Sequence, residues 1–362
     1  MKILQVISGL GIGGAEKLVL DLTQELSESN DVIICVLKNI DIEELTRIKE
    51  FSKIRIYTLK KSKGFDLRVY FKIFKLFRRL NPDVVHFHLD ATIKYIIPFS
   101  LFFKFNYVYT IHSDLNNEKL RIFKKLNSSR IFWKKIKYVC ISKNIQHEFQ
   151  SRYPKMKFYL VENGIKELSL SEELPKVCNE IQGFSNNFNK KVLISVGRLD
   201  ENKNQKMLID VFNKPNFNNA ILVIIGEDPS PDKSYLNNLK NECNKNVFIL
   251  GPKSNIADYL YYSDAVCLAS FNEGLPIFAL EALSLGKPII STPAGGMVDI
   301  VHNEINGYLS LDFSSENYAV ALNSFFAANF IENENIKKAN REKYLENYTI
   351  QRCSEKYLNL YV

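Results

Sequence analysis

The sequence predicts an α/β protein built from two doubly wound parallel sheets. Three observations carry that reading. Short β-branched apolar runs alternate with longer amphipathic stretches along the chain, the pattern of strand–crossover–strand units. Several runs are continuously apolar, as strands covered on both faces must be. The length of 362 residues exceeds one ordinary core, so two domains are expected.

In chain order, the front half offers strands at Ile3–Ile7, Val32–Leu37, Ile54–Leu59, Val84–Leu89, Tyr107–His112, Tyr138–Ser142 and Phe158–Glu162. The back half offers Val192–Val196, Ile221–Ile225, Val247–Leu250, Ala265–Ala269, Pro288–Ser291 and Gly307–Leu309. Helical patterns fill the gaps, as at Ala15–Leu26, Lys143–Ser151 and Asn255–Tyr262. Between the halves, Lys166 to Lys190 is polar and lacks strong periodicity. It holds Pro175, Gly183 and Ser185-Asn186-Asn187, and reads as the domain boundary. The expected division is 1–175, then 176–345, then a last helix over 346–362, for which packing back on the first domain is one option. Doubly wound sheets bind ligands outside the carboxyl ends of their strands, so a cleft between the domains is the expected site.

Composition excludes several classes. With 46% hydrophobic and 24% charged residues, the chain is neither disordered nor fibrous. The cysteines at 35, 140, 178, 243, 267 and 353 form no CxxC pair and suit a reducing cytoplasm as small buried hydrophobes. The apolar run Tyr95 to Phe103 is interrupted by Pro98 and falls short of the about 20 residues that span a bilayer. The apolar start at Ile3–Ile7 leads into glycines and Glu16-Lys17, as a first buried strand does and a signal peptide does not.

The net charge of +8 is uneven: residues 1–180 carry 31 Lys+Arg against 20 Asp+Glu, and the remainder 17 against 20. The positive charge gathers in Lys60 to Leu80 and Lys119 to Lys137, both interleaved with aromatic and aliphatic residues. Two readings stay open. Such helices either lie on an anionic lipid surface, which attracts each basic residue by roughly 1 kcal/mol, or face the core and solvate a basic side. Nucleic acid is not expected, because no groove-reading motif accompanies the charge.

Three loops point to phosphate chemistry. The first strand runs into Gly9-Leu10-Gly11-Ile12-Gly13-Gly14-Ala15-Glu16, a GxGxxG pattern whose backbone N–H groups approach phosphate at a helix start. The second strand ends in Leu37-Lys38-Asn39, without the acid that would hold an NAD ribose. In the back half, Arg198 and Lys203 follow a strand directly, a pair able to neutralise a diphosphate. Phe271-Asn272-Glu273-Gly274-Leu275-Pro276 then leads into a helix carrying Glu281. Glu281 lies about 7.5 Å along that helix from Pro276, so the two glutamates are not expected to pair as in glycosidases. They fit instead hydroxyls at opposite ends of one elongated ligand. The apolar flanks of Glu281 predict its burial, and a buried carboxylate needs a partner. His112 stands at a strand end, where a functional role is open. His86 and His88 share a strand face, and packing or acceptor contact is expected of them rather than metal binding.

Together these pieces resemble the retaining glycosyltransferases of family 4, which have the GT-B fold, over nearly the whole chain. The likeness lies in GGAE at 13–16, His112, Ser142, Asn163-Gly164, GRLxxxKN at 197–204, Gly226, Gly251, the spaced Glu273 and Glu281, Pro293-Ala294-Gly295-Gly296 and Asn306-Gly307. The resemblance implies two Rossmann-like domains across a cleft, the first binding acceptor and the second a UDP- or GDP-sugar. It implies that Arg198 and Lys203 contact the diphosphate and that Glu281 holds the ribose. Glu273, with the backbone of Gly274 and Leu275, would meet the sugar or phosphate. His112 would contact the sugar near the reacting carbon, Gly13 and Gly14 would approach phosphate and acceptor, and Lys253 would lie near the base. It implies no metal and no cofactor, a glycan or lipid-linked acceptor, and work at the cytoplasmic membrane face in bacterial surface-polysaccharide assembly. An NAD(P)-dependent oxidoreductase and a non-catalytic nucleotide-sugar-binding relative are the alternatives.

Overall fold

A computed structural model of the protein describes residues 1–11, 13–40, 54–112, 135–328 and 334–362. The basic stretch Lys119 to Lys137 therefore lies largely outside the described residues. The chain divides into two compact units, one of residues 1–166 and 347–362, the other of residues 167–346. The first division thus falls at 166/167, where the sequence reading puts 175/176.

The strands are β1 (Lys2–Ile7), β2 (Asp31–Val36), β3 (Arg55–Thr58), β4 (Val84–His88), β5 (Asn106–Ile111), β6 (Ile136–Cys140) and β7 (Phe158–Leu160), then β8 (Lys191–Val196), β9 (Ala220–Ile225), β10 (Val247–Leu250), β11 (Ala265–Leu268), β12 (Ile289–Ser291) and β13 (Gly307–Leu309). The helices are α1 (Gly14–Leu26), α2 (Arg68–Leu80), α3 (Asp90–Ile96), α4 (Lys143–Arg152), α5 (Leu174–Ser185), α6 (Gln205–Phe212), α7 (Ser234–Glu242), α8 (Ile256–Tyr261), α9 (Ile277–Ser284), α10 (Met297–Ile300), α11 (Ser315–Ala327), α12 (Glu334–Asn347) and α13 (Ile350–Tyr361).

The first unit holds a sheet in the order β3-β2-β1-β4-β5-β6-β7, and the second a sheet in the order β10-β9-β8-β11-β12-β13. All pairings are parallel. In each sheet the order reverses beside the first strand, at β1/β4 and at β8/β11. These switch points are where doubly wound sheets bind ligands.

One face of the first sheet presents Ile3, Val32, Val84, Val108 and Val139 to Leu18, Leu22 and Leu26 of α1 and to Ile350, Cys353, Tyr357 and Tyr361 of α13. The last helix therefore belongs to the first unit. It starts at Thr349, whose side chain accepts from the Arg352 N–H at 3.3 Å, a standard N-cap. Burying each of its large side chains is worth about 1.5–3 kcal/mol. In the second unit, Leu193, Leu222, Ile224, Ala265 and Cys267 pack on Leu208 and Phe212 of α6 and on Tyr318, Leu322 and Phe325 of α11.

The structure corrects one expectation. The stretch read as an aperiodic boundary contains α5, which buries Val177 and Ile181 within the second unit. Pro175 sits in its first turn, where a missing N–H costs nothing.

The basic-aromatic helix α2 has a stripe that faces the core, as one of its two readings expects. Val69, Ile73, Leu76, Phe77 and Leu80 are buried. The opposite stripe is not simply basic: Phe71 is 72% and Phe74 41% exposed, beside Phe102 at 78%. Phe74, Arg78, Phe99, Phe102 and Phe103 line an open groove of about 440 Å³.

Candidate active site

The two loops singled out in the back half both leave the carboxyl side of the β8/β11 switch point. The chain after β8 turns tightly. The Lys203 N–H donates to Asp200 Oδ1 at 2.9 Å, and Asn204, at φ +50°, opens α6. Gly197 donates its N–H to the Ile225 carbonyl at 3.0 Å. Gly226 follows that strand so closely that a Cβ there would collide with the Gly197 carbonyl.

This loop is strapped to the loop after β11. The Phe271 N–H donates to the Asn202 carbonyl at 2.8 Å, and Asn202 Nδ2 donates to the Asn272 carbonyl at 3.0 Å. Lys203 Nζ stands 2.5 Å from Glu273 Oε1, an oxygen that also accepts from Ser270 Oγ at 2.5 Å. The Glu273 side chain is 10% and the Lys203 side chain 21% exposed. Their mutual neutralisation makes the carboxylate tolerable there. From the far side, Gly296 donates its N–H to the Gly274 carbonyl at 2.9 Å. Gly295, at φ +49°, lies where any Cβ would meet the Glu273 carbonyl.

Leu275 and Pro276 enter α9, every residue of which is buried. Glu281 is buried with it, as its apolar flanks predict. Arg198 stays more than half exposed and pairs with Asp200 at 3.0 Å, while its carbonyl accepts from Gln205 Nε2 at 2.7 Å. Lys253 is engaged elsewhere in the unit. It lies 4.0 Å from Glu180 Oε2 and 5.5 Å from the Tyr259 ring centroid, and no described contact joins it to the Lys203–Glu273 network. Lys203 and Glu273 are thus brought together, with Gly274 beside them.

In the first unit, Gly13 caps α1 and Gly14 opens it. Beside this glycine loop stands Lys38, whose Cδ lies 3.8 Å from where a Gly9 Cβ would be. A cation occupies the surroundings in which an NAD site needs an acid. Across the switch point, β4 and β5 place His86, His88 and His112 together. His88 Nδ1 is 3.1 Å from His112 Nε2, and His88 Nε2 is 2.8 Å from Gln5 Oε1. The His86 and His88 rings lie 4.0 Å apart, centroid to centroid. Burial pushes all three imidazoles down from the usual 6.5: His112 to about 4, His86 and His88 well below their ordinary value. All three are neutral at pH 7. His86 and His88 are fully buried and pack ring on ring, the first of the two options the sequence leaves for them.

Two family models match the chain: glycosyltransferase family 4 over residues 12–167, and glycosyl transferases group 1 over residues 179–343. The chain belongs to the family 4 glycosyltransferases. This glycosyltransferase is 31% identical over 270 residues to an uncharacterized glycosyltransferase of Methanocaldococcus jannaschii, covering 67% of its own length and 64% of that relative's. It is 28% identical to the capsular polysaccharide biosynthesis glycosyltransferase CapH of Staphylococcus aureus, over 78% of each chain. The crystal structure of a glycosyltransferase from Rickettsia africae superposes with a TM-score of 0.82 at 21% identity, covering 99% of this chain and 97% of that one. The fold is GT-B.

Sequence reasoning missed Asn202 and Gln5, whose partners lie on neighbouring strands or their loops, and Ser270, whose partner lies in its own loop. The signal for Ser270 is faint, a single hydroxyl three residues before Glu273.

Proposed function

We propose that the glycosyltransferase moves a sugar from a UDP- or GDP-sugar to a glycan or lipid-linked acceptor, with retention at the anomeric carbon. One observation carries the reading: the Lys203–Glu273 pair sits at the β8/β11 switch point, where doubly wound sheets hold nucleotides.

Breaking the donor C–O bond builds positive charge on the sugar and negative charge on the leaving diphosphate. Arg198, the Lys203 ammonium and the N–H groups at the start of α9 stabilise the diphosphate. Glu281 holds the ribose hydroxyls, Glu273 and the Gly274–Leu275 backbone meet the sugar, and His112 contacts it near the reacting carbon. Gly13 and Gly14 approach phosphate and acceptor, and Lys253 serves the base. No DxD motif occurs in the sequence, and no metal or cofactor is assigned to the reaction. Attack on the face the diphosphate leaves from gives retention. The test is a sugar-nucleotide panel scored for UDP or GDP release and for the anomeric configuration of the product. Release of neither nucleotide with any donor, or inversion, refutes the corresponding part.

We further infer that α2 rests on an anionic membrane at the cytoplasmic face, which suits a role in surface-polysaccharide assembly such as that named for CapH. The exposed Phe71, Phe74 and Phe102 among Arg68, Lys72, Lys75 and Arg78 combine apolar insertion with charge attraction. Binding to vesicles containing anionic lipid is expected to weaken with salt and with Phe71→Ser. Equal partitioning onto neutral vesicles at all salt concentrations contradicts it.

A further inference from the structure

The buried hydrogen bonds of the first unit have a direction, and that direction starts at His112. Gln5 Oε1 can only accept, so His88 Nε2, 2.8 Å away, carries a proton. His88 is buried and neutral, so its Nδ1 keeps a lone pair. His112 Nε2, 3.1 Å from that nitrogen, is then the donor. Beyond Gln5 the bonds continue. Gln5 Nε2 donates to the Tyr361 hydroxyl at 3.4 Å, and that hydroxyl pairs with His86 Nδ1 at 2.7 Å. His86 Nε2 pairs with Thr110 Oγ1 at 2.7 Å, and Thr110 Oγ1 pairs with the Tyr357 hydroxyl at 2.8 Å. From His112 through His88 to Gln5, each donor meets an acceptor. Such a run of bonds is polarised as a whole and resists reversal at any one member.

We propose that His88 is a positioning residue: its Nδ1 holds His112 in the Nε2–H tautomer, so that His112 presents Nδ1 as an acceptor to a hydroxyl of the donor sugar. The inference rests on the reading of His112 as a sugar contact, and adds which atom serves and what orients it. An acceptor suits a hydroxyl, which can donate, and does not suit an ionised phosphate oxygen, which cannot.

Nitrogen-15 NMR of the full chain with labelled histidine tests the tautomer directly. At pH 7, His88 and His112 are expected neutral and protonated on Nε2. Protonation of His112 on Nδ1, or a charged ring, overturns the proposal, and this measurement stands even where a variant fails to fold. The kinetic arm uses His88→Leu, which removes the acceptor, and His88→Asn, whose Oδ1 lies near the Nδ1 position. His88→Leu is expected to lower kcat on the order of tenfold or more, the loss typical when a partner orienting a functional histidine is removed, with donor KM within about twofold. His88→Asn is expected to restore most of kcat. Unchanged kcat in His88→Leu, or an equal loss in His88→Asn, overturns the proposal. In a His112→Ala background His88→Leu should cost nothing more; a further loss means that His88 acts elsewhere and overturns it. If the unaltered protein releases no nucleoside diphosphate, the transfer reading fails instead, and NMR still decides the tautomer.

Discussion

Mild acid should loosen the first unit through its buried histidines. His86, His88 and His112 share one site and are held neutral by burial. In the unfolded chain each regains a value near 6.5. Below that pH the unfolded state binds protons that the folded state refuses, so stability is full above about 6.5 and falls as pH drops toward the folded values. For His112, folded at about 4, the full loss is about 3 kcal/mol at 1.36 kcal/mol per pH unit. His86 and His88, lowered by the same burial, add to the loss in the same direction. Against a total stability of about 5–15 kcal/mol, the His112 loss alone is a large share. The assay is urea unfolding at pH 7.5, 6.5, 5.5 and 5.0, with hydrogen exchange on peptides covering β4 and β5 to localise the loss. Unfolding free energy that stays flat from pH 7 to 5 refutes the reasoning. So does a decline carried only by peptides of the second unit.

Lys203→Met leaves Glu273 buried with Ser270 alone, and is expected to cost about 1–3 kcal/mol in urea unfolding and to abolish transfer. Glu281→Ala is expected to cut transfer by orders of magnitude, read as nucleoside diphosphate release, in a protein whose thermal midpoint shows it still folded. Two glycine substitutions should differ in sign. Gly295→Ala drives a methyl group into the Glu273 carbonyl at positive φ and should lower the unfolding midpoint by 2 kcal/mol equivalent or more, about the strain of a forced backbone. Gly183→Ala, inside α5 with open space around it, should raise stability by about 0.5–1 kcal/mol.

The sheets were legible because parallel strands covered on both faces must be continuously apolar. Ile221–Ile225 and Val84–Leu89 have no other comfortable home. Helix α5 escaped because it buries only Val177, Ile181 and Ser185. Its Pro175 and Gly183 also read as breakers, although the first is tolerated at a helix start. The site was legible by loop and not by partner. Lys203 and Glu273 are 70 residues apart, and their pairing follows from β8 lying beside β11, an adjacency that periodicity does not encode. The same holds for His88 and His112, joined by the β4–β5 register that sets His88 opposite Thr110. Exposed phenylalanines on α2 were legible as composition, but which of them face outward depends on the core stripe that the fold selects.

The path of the chain sets an order of assembly. Residues 1–166 leave the ribosome before the rest, yet one face of their sheet lacks part of its cover until Ile350–Tyr361 emerge. Residues 167–346 form an uninterrupted unit and are able to finish earlier. The amino-terminal unit is thus the last to mature, and a nascent chain arrested before Thr349 carries an apolar sheet face covered by α1 but not by α13, for chaperones to shield.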